Sequence, residues 1–400
     1  MAPAPAPTQV IVGEGWGCAK LSLPGMYSWQ CWEAGNAPRA WSVPWIEAGR
    51  LEAGPDRLCL ISEVEPSAFR CWQRPRPGDR AGQELSPLWE WVNPTPGQQR
   101  GAQWNEGRFE QAVIGGTFAC FSGFYAIFCR GDDRFGQLAD GGVERPVVSE
   151  PVLVPHVHSN SVAAGTWHAC TVWMGGPAGM QRAHVDCWGR DDYGQLGAPA
   201  PEQCLVDGQH VPCARSPVHG PVTAHGIVGA RLAAGDLFSC LSTGDGIECW
   251  GASRDGFFGG RGSCPDSLRG AWPTRDGPVP APDAGCSSVP VDVPGLADRK
   301  LAFKVAPRGI CVVEDGGLRC VGGIPTPLDR NVTDVALDPG EYASACGLRG
   351  GAVVCWGEGY SPLSQSNRLV PVTFAPISNA DLARGWIDVP DRLPTQLRGR

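Results

Sequence analysis

The cysteines are the residues whose spacing most constrains the chemistry of this chain. There are 18 of them, at positions 18, 31, 59, 71, 120, 129, 170, 187, 204, 213, 240, 249, 264, 286, 311, 320, 346 and 355. Paired in chain order they lie 13, 12, 9, 17, 9, 9, 22, 9 and 9 residues apart. Two chemistries compete. Zinc wants Cys-x-x-Cys or Cys-x-x-His knuckles, and none occurs. An even number of cysteines, each with a near neighbour, reads as a disulfide framework. The expected bonds are Cys18–Cys31, Cys59–Cys71, Cys120–Cys129, Cys170–Cys187, Cys204–Cys213, Cys240–Cys249, Cys264–Cys286, Cys311–Cys320 and Cys346–Cys355. Such a set belongs to an oxidising compartment, so a secreted, periplasmic or cell-surface address is expected.

Catalytic constellations are sparse. No Gly-x-Ser-x-Gly occurs. Ser159 and Ser161 sit near His158, in a connection after Pro155 with no carboxylate at helpful spacing. His168, two residues before Cys170, reads as a packed side chain bonding a neighbouring turn rather than as a base. His156, His158, His184, His210, His219 and His225 are scattered; only 156 and 158 share a spacing that could meet a metal. The doublets Asp132-Asp133 and Asp191-Asp192 invite a calcium or acid–base reading. Both precede Gly-Gln-Leu, where an Asp side chain stabilises a turn by bonding its own backbone. No glycine-rich loop leads into Lys-Ser or Lys-Thr, so phosphate cradling is unsupported. Asn331-Val332-Thr333 is a formal glycosylation sequon. No catalytic, cofactor-binding or metal-ligating residue is assigned, and no cofactor is implied.

Composition narrows the class further. Charged residues are 18% and the formal net charge is −8, which excludes a basic field for nucleic acid. No apolar run is long enough to span a membrane as a helix. The 55 Gly, 38 Pro and 16 Trp favour short strands and turns over long helices. Arg supplies nearly all the cations, which reads as a GC-rich, bacterial genome. Residues 1–9, with their Ala-Pro run, are expected to be a flexible tether beyond a cleavage or lipidation site, and 391–400 a tail.

Alignment of the cysteines exposes a repeat. Seven pairs share a small, Gly-containing stretch before the first Cys: Val12-Gly13, Ala53-Gly54, Gly115-Gly116, Ala164-Gly165 and Ala234-Gly235, with degenerate copies at Pro307-Arg308-Gly309 and Pro339-Gly340. After the second Cys comes Trp, Gly or both, as in Cys187-Trp188-Gly189, Cys249-Trp250-Gly251 and Cys355-Trp356-Gly357. Two copies run on into Phe135-Gly136-Gln137-Leu138 and Tyr193-Gly194-Gln195-Leu196-Gly197; Gly256-Phe257-Phe258-Gly259 stands at the equivalent place. Units of about fifty residues read as propeller blades or solenoid turns. Between the cysteines the midpoint falls on turn pairs: Asp315-Gly316, Gly350-Gly351, Gly244-Asp245 and Pro24-Gly25. Each pair therefore faces itself across a hairpin. At a separation of 9 the two cysteines form a non-hydrogen-bonded pair, with Cα atoms about 4.5 Å apart, close enough to bridge. Cys204–Cys213 and Cys264–Cys286 lie in Pro- and Gly-rich insertions without strand alternation, read as stapled surface loops.

The sequence Ala163-Ala164-Gly165-x-x-His168-x-Cys170, followed by Cys187-Trp188-Gly189 and Gly194-Gln195-Leu196-Gly197, resembles the repeat of the regulator of chromosome condensation. The resemblance spans about 10–375. It implies an all-β fold: a seven-bladed β-propeller of four-stranded antiparallel blades over 10–390, with inserted loops at 74–111, 198–222 and 259–297. The chain looks most like a bacterial, secreted, disulfide-bearing branch. By the same resemblance Val10–Gly13 and Leu369–Phe374 are expected to complete one blade together. The nuclear member's nucleotide-exchange and chromatin roles fit poorly with the acidic balance and the disulfides. In a plant relative stacked Trp residues sense UV-B; here the repeat Trp residues are expected to pack between blades. A bacterial relative inhibits β-lactamases through aromatic loops, so protein binding has precedent on this scaffold.

What remains is surface. Trp41, Trp45, Trp89, Trp91, Trp104, Phe257, Phe258 and Trp272 lie at loop sites outside the repeat, a composition suited to an interface. The expected function is non-catalytic binding of a protein or cell-surface partner through loops on one face. A lectin or enzyme using the central channel, or a structural subunit of an extracellular assembly, are the alternatives.

Overall fold

The computed structural model describes residues 6–23, 26–33, 41–43, 49–54, 57–62, 68–73, 87–92, 110–123, 126–142, 148–157, 159, 161–175, 182–220, 230–243, 246–259, 264, 272, 279–281, 283–296, 302–314, 317–327, 331–340, 342–358, 360, 367 and 370–372. They form seven antiparallel sheets. The first holds β1 (Ala6–Gly13), β2 (Trp16–Leu23), β3 (Met26–Glu33) and β4 (Trp41–Val43). The second holds β5 (Gly49–Ala53), β6 (Arg57–Ser62), β7 (Ala68–Gln73) and β8 (Pro87–Val92). The third holds β9 (Gln111–Ile114), β10 (Phe118–Gly123), β11 (Ala126–Gly131) and β12 (Val148–Leu153). In the fourth are β13 (Val162–Ala164), β14 (His168–Gly175), β15 (Arg182–Arg190), β16 (Glu202–Val206) and β17 (Gln209–His219). The fifth comprises β18 (Arg231–Ala234), β19 (Leu237–Thr243), β20 (Gly246–Ser253) and β21 (Gly285–Asp292). β22 (Ala302–Ala306), β23 (Gly309–Glu314) and β24 (Gly317–Gly322) make the sixth. β25 (Thr333–Leu337), β26 (Ser344–Arg349), β27 (Ala352–Gly357) and β28 (Val370–Pro371) make the seventh.

The sheets are arranged in a ring. The first strand of each touches the first strand of the next, in the order β1, β5, β9, β13, β18, β22, β25 and back to β1. Small residues at the ends of these strands permit that approach: a Cβ on Gly165 would lie 2.3 Å from the Gly235 carbonyl of the following sheet. Apolar clusters fill each seam. Phe118, Cys120 and Ile127 of the third sheet pack with Val162, Ala169 and Trp188 of the fourth, and Val10, Val12 and Trp32 of the first with Val353 and Cys355 of the seventh. The molecule is a β-propeller.

The hairpin arithmetic holds in every repeat. Second and third strands put cysteine opposite cysteine in all seven sheets. The Cα atoms of these pairs are 3.9–4.1 Å apart and each pair is bridged. Gly350 and Gly351 turn the last hairpin with φ of 56° and 80°, both in the left-handed region that a type I′ turn demands. The other predicted turn pairs lie outside the described residues. The glycine after the Cys-Trp pair has its own cause: Gly189 has φ 99°, and a Cβ there would stand 2.5 Å from the Trp167 carbonyl.

Three expectations need correction. The terminal strands do not share a blade: β1 opens the first sheet and β28 closes the seventh. The ring instead closes side against side. The Val10 N–H donates to Asp334 Oδ2 at 2.7 Å, the Gly15 N–H to Asp338 Oδ2 at 3.0 Å, and Trp32 Nε1 to the Tyr360 hydroxyl at 3.1 Å. The segments taken for inserted loops hold strands, for β8, β16, β17 and β21 fall inside them and serve as outer strands. β1 also begins at Ala6, inside the segment taken for a tether; the tail 391–400 lies outside the described residues.

Candidate functional site

Strand register identifies the two faces. Gly131, at the end of β11, pairs with Phe118 at the start of β10. Gly189 pairs with His168 and Gly251 with Phe238 in the same way. The turn before each second strand and the loop after each third strand therefore share one face. We call it the loop face.

The loops here are built by their own side chains. Asp133 Oδ1 accepts from the Leu138 N–H at 2.9 Å, and Asp191 Oδ1 from the Leu196 N–H at 3.0 Å. Gln137 Oε1 and Gln195 Oε1 accept from the N–H groups of Phe135 and Tyr193. The carbonyls of the same two glutamines then accept the indole N–H of the next repeat, Trp188 at 2.8 Å and Trp250 at 3.0 Å. Trp356 Nε1 donates to the Pro325 carbonyl likewise. The Asp doublets are thus turn-builders, and they are offset: Asp133 corresponds to Asp191, whereas Asp132 accepts from Arg134.

His168 serves packing. It is fully buried, and its Nε2 meets Ser239 Oγ of the next sheet at 2.9 Å, while that hydroxyl donates to the Gln195 carbonyl. Burial pulls its imidazole down to about 3, so it is neutral at physiological pH. Ser159 Oγ donates to the Val172 carbonyl at 2.7 Å, which holds the connection in place. His158 and His225 lie outside the described residues. Among the described residues no group of three His, Cys, Asp or Glu could hold a metal ion.

Two additions rise from the loop face. β17 pairs Cys213 with Arg190, the last residue of β15. Residues 209–211 therefore continue beyond the ring, paired with β16. Asp207 and Gly208, with φ of 51° and 79°, turn this hairpin. The turn is centred off the midpoint of the cysteines, so Cys204 and Cys213 are diagonal neighbours with Cα atoms 5.8 Å apart, still bridged. The second addition is closed by Cys264–Cys286. Trp272 is buried beneath it, with Leu237, Ala252 and Ala284.

A cation–aromatic node joins the two additions. The Arg190 guanidinium lies 4.6 Å from the Trp167 ring centroid, 5.1 Å from Phe135 and 5.5 Å from Tyr193, and it is ion-paired with Asp192. Trp167 packs against the cluster of Cys204, Val206 and Cys213 on one side and the Trp272 cluster on the other. The sequence held one signal for the node: Arg190 follows the Cys-Trp-Gly motif directly.

The ring axis opens on this face in a shallow depression lined by Gly115, Gly165, Thr166, Ala234, Asp236 and Ala306 among others. Asp236 is buried, and burial pushes its carboxyl up to about 6. Burial also lifts Asp191 and Asp338 to about 7. Deeper in the ring, Glu52 is raised by burial, with Arg50 and Lys304 opposing and Asp334 adding; Arg50 Nε lies 3.1 Å from Glu52 Oε1. No described histidine lies on the first strand of any sheet.

The aromatic candidates divide. Phe257, Phe258 and Trp272 are buried at 8%, 1% and 0% exposure, so they support the face from below and present no surface. Phe257 and Phe258 pack with Phe238 and take the places of Gln195 and Leu196 in the preceding repeat. Trp89 and Trp91 are on β8 and Trp41 on β4; Trp45 and Trp104 lie outside the described residues. The apolar side chains that do reach solvent include Leu205 at 49%, Val289 at 60% and Tyr342 at 43%, none of them among the aromatics expected at the surface.

No protein-family profile matches the sequence. Among solved structures the chain is similar to Prp20p from Saccharomyces cerevisiae, studied for binding to Gsp1p and histones, at 15% identity and a TM-score of 0.49, over 92% of this chain and 76% of that one. Human WBSCR16 gives 13% identity and a TM-score of 0.48, over 92% and 82%. The CRINKLY WD40 ectodomain of the Arabidopsis thaliana receptor kinase ACR4 gives 15% and 0.43, over 89% and 96%. The propeller assignment above rests on strand order and the cyclic contacts of the inner strands.

Proposed function

We propose that the protein is an extracytoplasmic seven-bladed β-propeller, resembling the regulator-of-chromosome-condensation repeat, that binds a protein or cell-surface partner through its loop face without catalysing a reaction. One observation carries this reading: both disulfide-closed additions to the repeat stand on the same face and are tied together there by Trp167. A surface braced by two disulfides and a cation–aromatic node is preorganised, which reduces the ordering cost of association. Leu205, near the tip of the projecting hairpin, offers an apolar contact at its summit. Nine disulfides support an address in an oxidising compartment, and export is the simplest route to one.

The test is binding of fluorescently labelled protein to intact cells of the source organism. Leu205→Asp should weaken saturable binding at least tenfold. Leu153→Asp, on the outermost strand of the third sheet and equally exposed, should leave it unchanged. Equal binding by the two variants would sink the assignment of the loop face.

A further inference from the structure

We infer that the axial depression of the loop face is a receptor for one organic cation, an aliphatic stem ending in a guanidinium or ammonium group, such as a partner's Arg or Lys side chain. The inference rests on the loop-face reading and names the chemistry of its partner. The depression is open to solvent at the ring axis. Its walls come from turns of successive sheets. Gly115, Gly165, Gly235, Ala164, Ala234, Ala306 and Pro307 give short, mainly apolar surfaces, which suit the methylene stem of a Lys or Arg whose charged end needs an anion.

Asp236 supplies that anion, being the single carboxylate among the lining residues. The Thr166 hydroxyl bonds it from the preceding turn, and Trp272 packs beside it. The charged groups that act on it are Arg190, which favours the ionised form, and Asp192, which opposes it; Tyr193 lies close as well. Among the described residues none of the cations at this rim is free to pair with Asp236. Arg190 is held by Asp192, Arg308 by Asp255 and Glu358, and Arg57 donates to the Gly116 carbonyl. Burial lifts the Asp236 carboxyl to about 6, so near neutral pH it is largely ionised and poorly solvated. A buried, ionised carboxylate without an ion-pair partner is stabilised by a cation that arrives with its own apolar stem.

The proposal is tested with agmatine, a guanidinium on a short aliphatic chain, titrated into the intact protein and followed by tryptophan fluorescence and calorimetry. Saturable binding is expected at millimolar agmatine, with pentanol giving none. Asp236→Asn should weaken agmatine at least tenfold. Ala234→Leu, which narrows the depression and leaves the carboxylate in place, should do the same; circular dichroism confirms that both variants are folded. Absence of saturable agmatine binding, or binding by Asp236→Asn equal to the parent, overturns the proposal. Loss of cell binding in Leu205→Asp with agmatine binding intact, or the reverse, separates this claim from the loop-face reading.

Discussion

Three indoles hold neighbouring sheets together by the same bond. Trp188, Trp250 and Trp356 each fill a seam and donate to a carbonyl of the preceding repeat. Trp188→Phe would keep most of the volume and leave the Gln137 carbonyl without that donor. We expect a loss of about 2 kcal/mol, read from urea unfolding. His168 makes a second prediction. Its folded value lies well below the ordinary histidine value, so the unfolded chain binds the extra proton. The stability it contributes is complete above the unfolded value of 6.5 and drains away as pH falls toward about 3. His168→Gln should therefore melt progressively closer to, then above, the parent as the buffer is acidified; a constant gap would contradict the assignment. The roles of the repeat Trp and of His168 were legible because a repeat shows which positions every copy must fill. Phe257 and Phe258 stand at the positions of Gln195 and Leu196, and a buried loop position does not become surface because it carries an aromatic.

The hairpin is the element on which the fold is counted. Each bridge closes a short loop across a directly opposed pair, and the chain-entropy estimate for a loop of this size is roughly 2–3 kcal/mol. Replacing Cys240 and Cys249 together by Ser should lower the urea midpoint accordingly, with the denaturant slope steady or slightly steeper because the unfolded chain loses a cross-link. The spacing of 9 made these hairpins readable from sequence. The β16–β17 hairpin was missed because its cysteines do not straddle the turn evenly, and because Pro212 and Pro217 break the alternation that usually announces strands. The signal available was the Asp207-Gly208 turn pair between Glu202–Val206 and Gln209–His219. The loop-face node had no comparable local signature. Phe135, Trp167, Arg190 and Tyr193 come from two different sheets, and only the ring brings them together.

Across the whole molecule, the ring is held by seams rather than by a shared strand. Among the described residues no chain connection crosses between the first and seventh sheets, and two carboxylates accept backbone N–H groups there. Asp338→Ala would leave the Gly15 N–H without its acceptor, at a cost of about 1–3 kcal/mol. Hydrogen exchange should rise first in β1 and β25; a uniform rise over all seven sheets would argue against a local seam. The buried carboxylates also set a pH dependence. Asp191, Asp236 and Asp338 are raised to about 7, 6 and 7, so the folded state binds protons that the unfolded state has released. Their contribution is complete below the unfolded value of 3.8 and is lost as pH rises through about 6 to 7. The melting temperature should fall from mildly acidic to mildly alkaline buffer, and Asp338→Asn should flatten that fall.

Peptide mapping of the protein under non-reducing conditions tests the architecture beneath all of this. The account predicts nine bonds between chain neighbours, with Cys240 joined to Cys249 and Cys204 to Cys213 on the loop face, and no free thiol. Cys240 joined to any other cysteine, or thiols recovered reduced together with bound zinc, would contradict it.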